Sequence, residues 1–340
     1  MIYISFIGLY YIWMEGDLVD FRELLYVLTI EEEKSFSNAA KKLFMAQPSL
    51  SQYIKRLEGS LGFLLFKRSH TPITLTDEGK QYVDYAKRIL ILKEEMQRVL
   101  EEVANAERGS ISLGIPSIRG SYLLPMMIPF FKYRHPKIEI TPVEVMAGGS
   151  DELEKWLSEG KLDLCILSHP ISRNDLEYEM IFEEEILLAV PPINKTISSE
   201  QAIKHNASHL IYLKELKGQP FILTTHQTRL RKAIERILAE ANFYPRVIME
   251  TNSLETAQKM VSVGYGYTFV PEMFMRAPYE RHCPTYQSVQ ESDYRWPLLI
   301  ARRKGGYLSK AAKTFLGDIK LYCRDYLRSE LMHAIGSVCN

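Results

Sequence analysis

The sequence predicts an α/β protein with an all-α unit at its amino terminus, and three observations carry that prediction. Between Ser37 and Glu58, two short segments of helical apolar period flank a tight turn. From Thr76 to about Ala106 one helical period runs on without a break. Beyond Glu107, strand-like and helix-like segments alternate as β-α-β-α-β, and a second such unit comes after them. A long helix therefore links a small helical unit to a two-lobed α/β unit.

Phe21 to Glu32 forms a first helix, with Phe21, Leu24, Leu25, Val27 and Leu28 on a broad apolar face. Ser37 is the expected N-cap of the next helix, in which Ala39, Ala40 and Leu43 share one side. Phe44-Met45-Ala46 is the turn, and Gln47-Pro48 opens the second helix of the hairpin, where a proline costs little. Leu50, Ile54 and Leu57 face inward, while Gln47, Ser49, Ser51, Gln52, Lys55 and Arg56 face out. Amides, hydroxyls and cations on one face suit a helix lying in a DNA major groove. The same pattern alone would equally fit an ordinary helical hairpin with a solvated face.

The residues after the hairpin separate these readings. Leu61 to Arg68 turns into a short strand, Ser69-His70-Thr71-Pro72 is a turn, and Ile73-Thr74-Leu75-Thr76 is a return strand. The result is a winged helix-turn-helix whose Lys67, Arg68 and His70 would lie beside phosphates or the minor groove. From Ser35 to Pro72, Lys41, Lys42, Lys55, Arg56, Lys67 and Arg68 face a single acid, Glu58. That local excess neutralises phosphates even though the whole chain carries zero net charge. Thr76-Asp77-Glu78 caps the long helix, whose stripe includes Tyr82, Val83, Ile89, Leu92, Met96, Val99 and Leu100. A dimer contact resembling a coiled coil would bury it; packing on the next domain is the alternative.

In the α/β unit, Ile111–Ile115 is a strand and Pro116 to Ser121 leads into a helix spanning 122–135. Residues 138–145 form another strand, Gly148-Gly149-Ser150 caps a helix over 151–159, and 162–167 is a strand apolar enough to be central. Ile186 to Pro191 is a further strand. Strands at 220–223, 246–250 and 267–271, with helices at 228–242 and 254–263, build the second unit. A strand at 298–301 and a helix at 309–326 close the chain. Two lobes joined by two crossovers enclose a cleft, and ligands in such sheets bind beyond the carboxyl ends of the strands. The turns at Ser117–Ser121 and Gly148–Ser150 precede helices, and Thr224-Thr225-His226 plays the equivalent part in the second lobe. Their free N–H groups favour an anionic ligand such as a carboxylate or sulfate, with Arg119 adding to that field or pointing outward.

Composition limits the alternatives. The chain has 340 residues, 46% hydrophobic and 25% charged, enough for two or three domains with their own cores. Met1 to Trp13 is apolar but too short to span a bilayer. It reads either as an upstream extension of the reading frame, with a start near Met14 or Val19, or as a hydrophobic arm packing on a dimer. No other run is long enough to cross a membrane, so a cytoplasmic protein is expected. Cys165, Cys283, Cys323 and Cys339 are scattered and read as free thiols; redox sensing by Cys165 is the weaker alternative. Gly264-Tyr265-Gly266 lacks the third glycine of a nucleotide loop, and His205/His209 has no intervening Glu for a zinc protease. No catalytic set is visible, so neither enzyme, cofactor nor metal is expected. A solute-binding protein would use the same cleft but has no use for a winged helix.

Taken with these residues, the chain resembles the LysR-type transcriptional regulators from about residue 18 to 325. The most specific part is the run SFSNAAKKLFMAQPSLSQYIKRLEGSLGFLLFKR, joined by ITLTDEG; LLPMMIPFFKYRHPKIEI, LSEGKLDLCIL and VSVGYGYTFVPE add to it. The resemblance implies an extra segment at 1–17, a DNA-binding domain at 18–76 and a dimerising linker helix at 77–107. It further implies a periplasmic-binding-protein-like effector domain at 108–325 and a tail at 326–340. Lobe I is expected at 108–190 and 296–325, and lobe II at 191–295. By the same resemblance Gln47, Pro48, Ser51 and Gln52 match major-groove positions, and Lys55, Arg56, Lys67 and Arg68 suit phosphates. Ser37, Ser49 and His70 complete the expected DNA-binding set. The expected effector residues are Ser117, Ile118, Arg119, Ser121, Gly149, Ser150, His169, Thr224, Thr225 and His226. Implied partners are double-stranded promoter DNA, a second copy in dimers paired as tetramers, RNA polymerase, and a small-molecule effector.

Overall fold

In the computed structural model, residues 20–68, 72–104, 109–146, 148–192, 210–276 and 284–327 are described. The expectations for residues 1–19, His70, His205, His209, Cys283 and Cys339 lie outside them. The chain divides into two compact units, Met1–Leu100 and Glu101–Asn340.

The first unit begins with α1 (Phe21–Glu33), capped by Asp20. Its core face is Leu24, Val27 and Ile30, whereas Phe21 and Leu25, expected inside, are exposed. Helical geometry explains the difference for Leu25. Leu24, Val27 and Ile30 lie at successive i+3 steps, and Leu25 falls beside that stripe rather than on it. Next come α2 (Phe36–Lys42) and α3 (Gln47–Leu61). The N-cap of α2 is Ser35, not Ser37: the Ser35 hydroxyl accepts from the Asn38 amide three residues on, placing Ser37 inside the first turn. Leu50, Ile54 and Leu57 of α3 pack on Val27, Ile30, Ala39 and Ala40.

The wing is the antiparallel pair β1 (Phe66–Lys67) and β2 (Thr74–Leu75), with Phe66 opposite Leu75. It leads into α4 (Asp77–Ala104). Thr76 caps α4 by accepting from the Gly79 amide at 2.8 Å while donating to the Leu64 carbonyl at 2.6 Å. The Leu65 carbonyl lies so close to Gly79 that a Cβ there would overlap it. Val83 and Ala86 of α4 are buried, but Tyr85, Leu92, Met96 and Leu100 are exposed. Leu92, Met96 and Leu100 recur at i+4 on one side.

The second unit is a mixed α/β fold. Among the described residues its principal sheet has eight strands, seven of them in the order β4 (Ile138–Val145), β3 (Gly109–Pro116), β5 (Leu164–Ser168), β12 (Arg295–Arg303), β6 (Leu176–Val190), β11 (Thr285–Val289) and β7 (Leu210–Ile211), with β10 (Thr268–Pro271) pairing on β6. β3 (Gly109–Pro116) is parallel to both β4 (Ile138–Val145) and β5 (Leu164–Ser168). Helices α5 (Ser117–Arg134) and α6 (Ser150–Ser158) make the crossovers. Helix α5 starts five residues earlier than the sequence pattern indicates, so the segment from Ser117 to Ser121 is its first turn rather than a loop before it. β5 is buried along its length, as its apolar composition requires.

β6 (Leu176–Val190) runs through both lobes, and its charged first half carries no strand pattern in the sequence. Register explains why Glu177 and Glu179 sit in a strand: both stand opposite β12 (Arg295–Arg303), where Glu177 pairs with Arg302 at 2.7 Å. β12 is antiparallel to both β5 and β6. The second lobe contains β7 (Leu210–Ile211), β8 (Pro220–Thr224), α7 (Arg229–Glu240) and β9 (Arg246–Thr251). It continues with α8 (Leu254–Ser262), β10 (Thr268–Pro271) and β11 (Thr285–Val289). The very short β7 and the polar β11 have no sequence signal. A core around Leu188, Phe221, Ile234 and Phe269 fills this lobe. Another around Ile111, Leu164, Ile300 and Phe315 fills the first, beneath α9 (Lys310–Leu321). No helix among the described residues is long and apolar enough to cross a membrane.

Candidate functional site

The amino-terminal unit presents one polar surface with its hydrogen-bonding groups still available. Pro48 stands in the first turn of α3, which no side chain caps; the Ser49 and Leu50 amides turn back to the Ala46 carbonyl, leaving the Gln47 amide at that end. Gln47, Pro48, Ser49, Gln52, Lys55 and Arg56 are exposed and Ser51 is half-buried. Arg56 rests over the Tyr53 ring at 5.5 Å. Tyr53 is itself wedged edge-on against Tyr26, its phenol pushed up to about 12 by burial and by the nearby Glu23 and Asp20 carboxylates. The helix thus offers amide, hydroxyl and guanidinium groups on one side, a set able to read base edges and hold phosphates.

One of the expected phosphate contacts of the wing has a structural partner as well. Lys67 is exposed, but Arg68 is held at 2.7 Å by the buried Glu58 carboxylate and lies over the Phe36 ring at 5.2 Å. Glu58 also accepts from the Leu65 and Phe66 amides at 2.9 and 3.3 Å. The lone acid in the basic window is therefore the peg on which the wing hangs, and Arg68 completes that peg. Ser37 is exposed on the first turn of α2.

In the second unit a small cavity of about 30 Å³ lies between the lobes, lined by Pro116, Ser117, Ile118, Arg119, Gly148, Ser150, Ser168, Thr228, Arg229, Leu230 and Trp296. It has room for little more than a water molecule or two. The amino-terminal ends of three helices meet here: Ser117 opens α5, Ser150 opens α6, and Thr228 caps α7. Neither α5 nor α6 has a side-chain cap, so their first-turn amides are left for another acceptor.

Two arginines at this cavity are already committed. Arg119 is fully buried; it donates to Ser168 Oγ at 2.8 Å and Tyr122 at 2.6 Å, pairs with Glu184, and lies over the Trp296 ring at 4.0 Å. Burial opposes its charge, but the adjacent Glu184 carboxylate more than offsets this and holds the guanidinium above its ordinary pKa. Glu184 also accepts from the Met273 amide at 3.0 Å. Arg229, from the second lobe, donates to the Ser168 carbonyl at 3.0 Å and pairs with Asp151 at 2.9 Å and Glu154 at 3.0 Å in the first. It is a latch across the cleft.

Of the effector residues expected from sequence, Ser117, Ile118, Arg119 and Ser150 line the cavity. The others do not. Ser121 faces outward, its hydroxyl turned back to the Ile118 carbonyl. Gly149 caps α6 against Val145, where a Cβ would come within 2.7 Å of the Val145 side chain. His169 is exposed on the opposite side of its strand end from Ser168. Thr224 is buried beneath Thr228, Thr225 bonds Asn252, and His226 sits among Glu235, Glu250 and Arg231. The second lobe instead contributes Thr228, Arg229 and Leu230, four residues further along. Thr228, as an N-cap before an amphipathic run, is legible in the sequence; Arg229 and Trp296 carry no local signal. Cys165 and Cys323 are free and buried, and burial pushes both thiols up, Cys323 to about 12. Inert packing, not redox chemistry, is the consequence for both.

Comparison with known proteins agrees with this architecture. Residues 21–80 match the family model for the bacterial regulatory helix-turn-helix protein, lysR family, and residues 104–323 match the LysR substrate binding domain. The uncharacterized HTH-type transcriptional regulator YcgK of Bacillus subtilis (strain 168) is 32% identical over 307 residues, covering 88% of this chain and 93% of the relative. A probable RuBisCO transcriptional regulator of Trieres chinensis is 30% identical over 304 residues, covering 88% and 95%. Among solved structures, a full-length OxyR variant from Pseudomonas aeruginosa superposes with a TM-score of 0.64 at 24% identity, covering 90% of this chain and 96% of that one. CbnR in complex with its target DNA does so at 0.58 and 20%, covering 89% and 99%.

Proposed function

Because the chain belongs to the LysR family of transcriptional regulators, we propose that it binds promoter DNA as a dimer of dimers and is switched by a small anionic metabolite in the interlobe cleft. The observation that carries the cleft reading is the meeting of three helix amino termini on one cavity whose arginines are already neutralised. The helix ends supply the positive potential there, so the ligand they favour carries a carboxylate or another compact anion. At about 30 Å³ the cavity is too small for a metabolite. Admitting a metabolite requires the lobes to part, which means exchanging the Arg229–Asp151 contact for contacts with the ligand. A ligand shifts that equilibrium only by binding the open form better.

For DNA, α3 is the major-groove reader and the wing lies along the backbone. The exposed Leu92, Met96 and Leu100 support pairing of α4 with a second copy, and the pairing of such dimers and contact with RNA polymerase complete the reading. Fluorescence anisotropy on promoter-length DNA tests it: affinity should fall steeply with salt, and the complex should sediment as a tetramer. Absence of binding at low salt, with and without added metabolites, would overturn it. A thermal-shift screen of the full chain against carboxylate metabolites addresses the cleft separately, since a native-state ligand raises the melting point.

A further inference from the structure

The same three segments that wall the cleft also turn a second face outward. Ser168 looks into the cleft, while His169 and Pro170 after it look out. Thr228, Arg229 and Leu230 look in; Lys232, Ala233 and Arg236 of the same helix α7 look out. Trp296 looks in; Arg295 and Pro297, its neighbours on β12, look out, as strand alternation requires. Together with Tyr294 these outward residues enclose an open pocket of about 410 Å³, more than ten times the cavity behind it.

Its chemistry is one-sided. Lys232, Arg236, Arg295 and His169 line it, and no carboxylate among the described residues does. Arg236 lies over the Tyr294 ring at 4.4 Å and is steered at its Nε by Glu240 at 2.9 Å; Arg295 is steered by Glu185 at 2.8 Å. Both guanidiniums keep further N–H groups and remain about half exposed, at 62% and 52%. Lys232 is exposed. The walls between the cations are Pro170, Pro297 and Ala233, apolar and rigid. Planar guanidinium forks and a mobile ammonium around a volume of metabolite size match a compact polyanion.

We propose that this pocket is a second, outward-facing binding site for a small polyanion, of the phosphoryl or polycarboxylate class. Unlike the cleft, it needs no opening to be filled. An occupant would tie α7 of the second lobe to the His169–Pro170 corner of the first and to the crossover strand β12, and so bias the lobe movement that the cleft requires. That coupling rests on the cleft reading; the binding does not.

Isothermal titration of the full chain with inorganic pyrophosphate and, separately, with citrate tests the proposal at matched ionic strength. Saturable binding near one site per chain is expected for at least one probe, and which one binds identifies the class. The K232Q/R236Q variant should lose about tenfold or more in affinity, since charge-assisted hydrogen bonds are removed. Both side chains are exposed, so its melting temperature should stay near that of the wild chain. A K55Q/R56Q variant, altered only in the basic amino-terminal unit, should titrate like wild type. So should Ser117→Val, which narrows the inner cavity without overfilling it. If neither probe binds, or if K232Q/R236Q binds unchanged, the outer site does not exist. If Ser117→Val abolishes binding and K232Q/R236Q does not, the anion sits in the cleft; this proposal then falls while the cleft reading stands.

Discussion

The two units differ in what their functional side chains are doing before any partner arrives. On α3, Gln47, Gln52 and Lys55 are exposed with their donors and acceptors turned to solvent, and the helix beneath them is fixed by Leu50, Ile54 and Leu57. In the cleft, Arg119 and Arg229 are buried and already bonded, to Glu184, Ser168, Asp151 and Glu154. The first surface is preorganised and open, so binding there costs little rearrangement. The second is self-satisfied, so any ligand must break something to enter. A reader of a fixed duplex suits the former arrangement, and a switch suits the latter.

The sharpest way to break this contrast is to remove a partner from the cleft. Glu184→Ala leaves the Arg119 guanidinium buried without its counter-ion, and the effector unit should lose about 3–5 kcal/mol of stability. Urea unfolding followed by Trp296-sensitive fluorescence measures it. A double replacement, Arg119→Met with Glu184→Met, should recover most of the loss, because a buried pair contributes little net stability beyond a hydrophobic isostere. Recovery without ligand response would show that the pair serves the switch rather than the fold.

Next in size is the peg of the wing. Arg68→Ala removes one partner of the buried Glu58 and should cost the amino-terminal unit about 1–3 kcal/mol. Its effect on DNA should come chiefly through a loosened wing. The salt slope of binding would then change less than for Lys67→Ala, whose side chain is exposed. If instead Arg68→Ala lowers the slope by as much as Lys67→Ala with stability unchanged, Arg68 holds phosphate and the peg is incidental.

How far each region can be read from sequence obeys the same division. The helices of the first unit are local: their apolar steps, turn and proline all lie within a few residues, so α2, α3 and α4 are nearly complete in the sequence pattern. Even the errors there are local, a cap displaced from Ser37 to Ser35 and Leu25 assigned to the wrong side of α1. The cleft is assembled from distant pieces. Arg119 is a buried pillar because Glu184, on a strand whose charged half shows no strand pattern, reaches it from 65 residues away. The shift from Thr224–His226 to Thr228–Leu230 is four residues, a displacement set by where Arg229 reaches the Ser168 carbonyl and not by composition. His169 is expected inside when its neighbour Ser168 is the one there, since a strand end alone does not reveal which face the other lobe will cover.

A smaller effect is expected at the reading face itself. Gln47→Ala should leave stability untouched, because the side chain is exposed and has no partner among the described residues. It should reduce discrimination between operator and random DNA by about 1–3 kcal/mol while leaving non-specific affinity and its salt slope alone. Competition binding with the two DNAs reads this directly; equal weakening on both would remove Gln47 from base reading.

The smallest effect probes the burden of buried charge around Glu184. Glu272 is partly buried beside Glu184 and Glu185, and burial first, then those two carboxylates, hold its pKa above the ordinary glutamate value despite the Glu185 amide and Arg295. A carboxyl that binds its proton more tightly folded than unfolded stabilises the fold at low pH. That contribution is present below the unfolded value, about 4.3, and is lost as pH rises through the folded one. Glu272→Gln should therefore flatten the decline in effector-unit stability as pH rises above the ordinary glutamate value, measured as unfolding midpoints across a pH series. An unchanged slope would mean that the Glu184, Glu185 and Glu272 carboxylates sit together without strain. The two units would then differ in geometry alone and not in stored electrostatic cost.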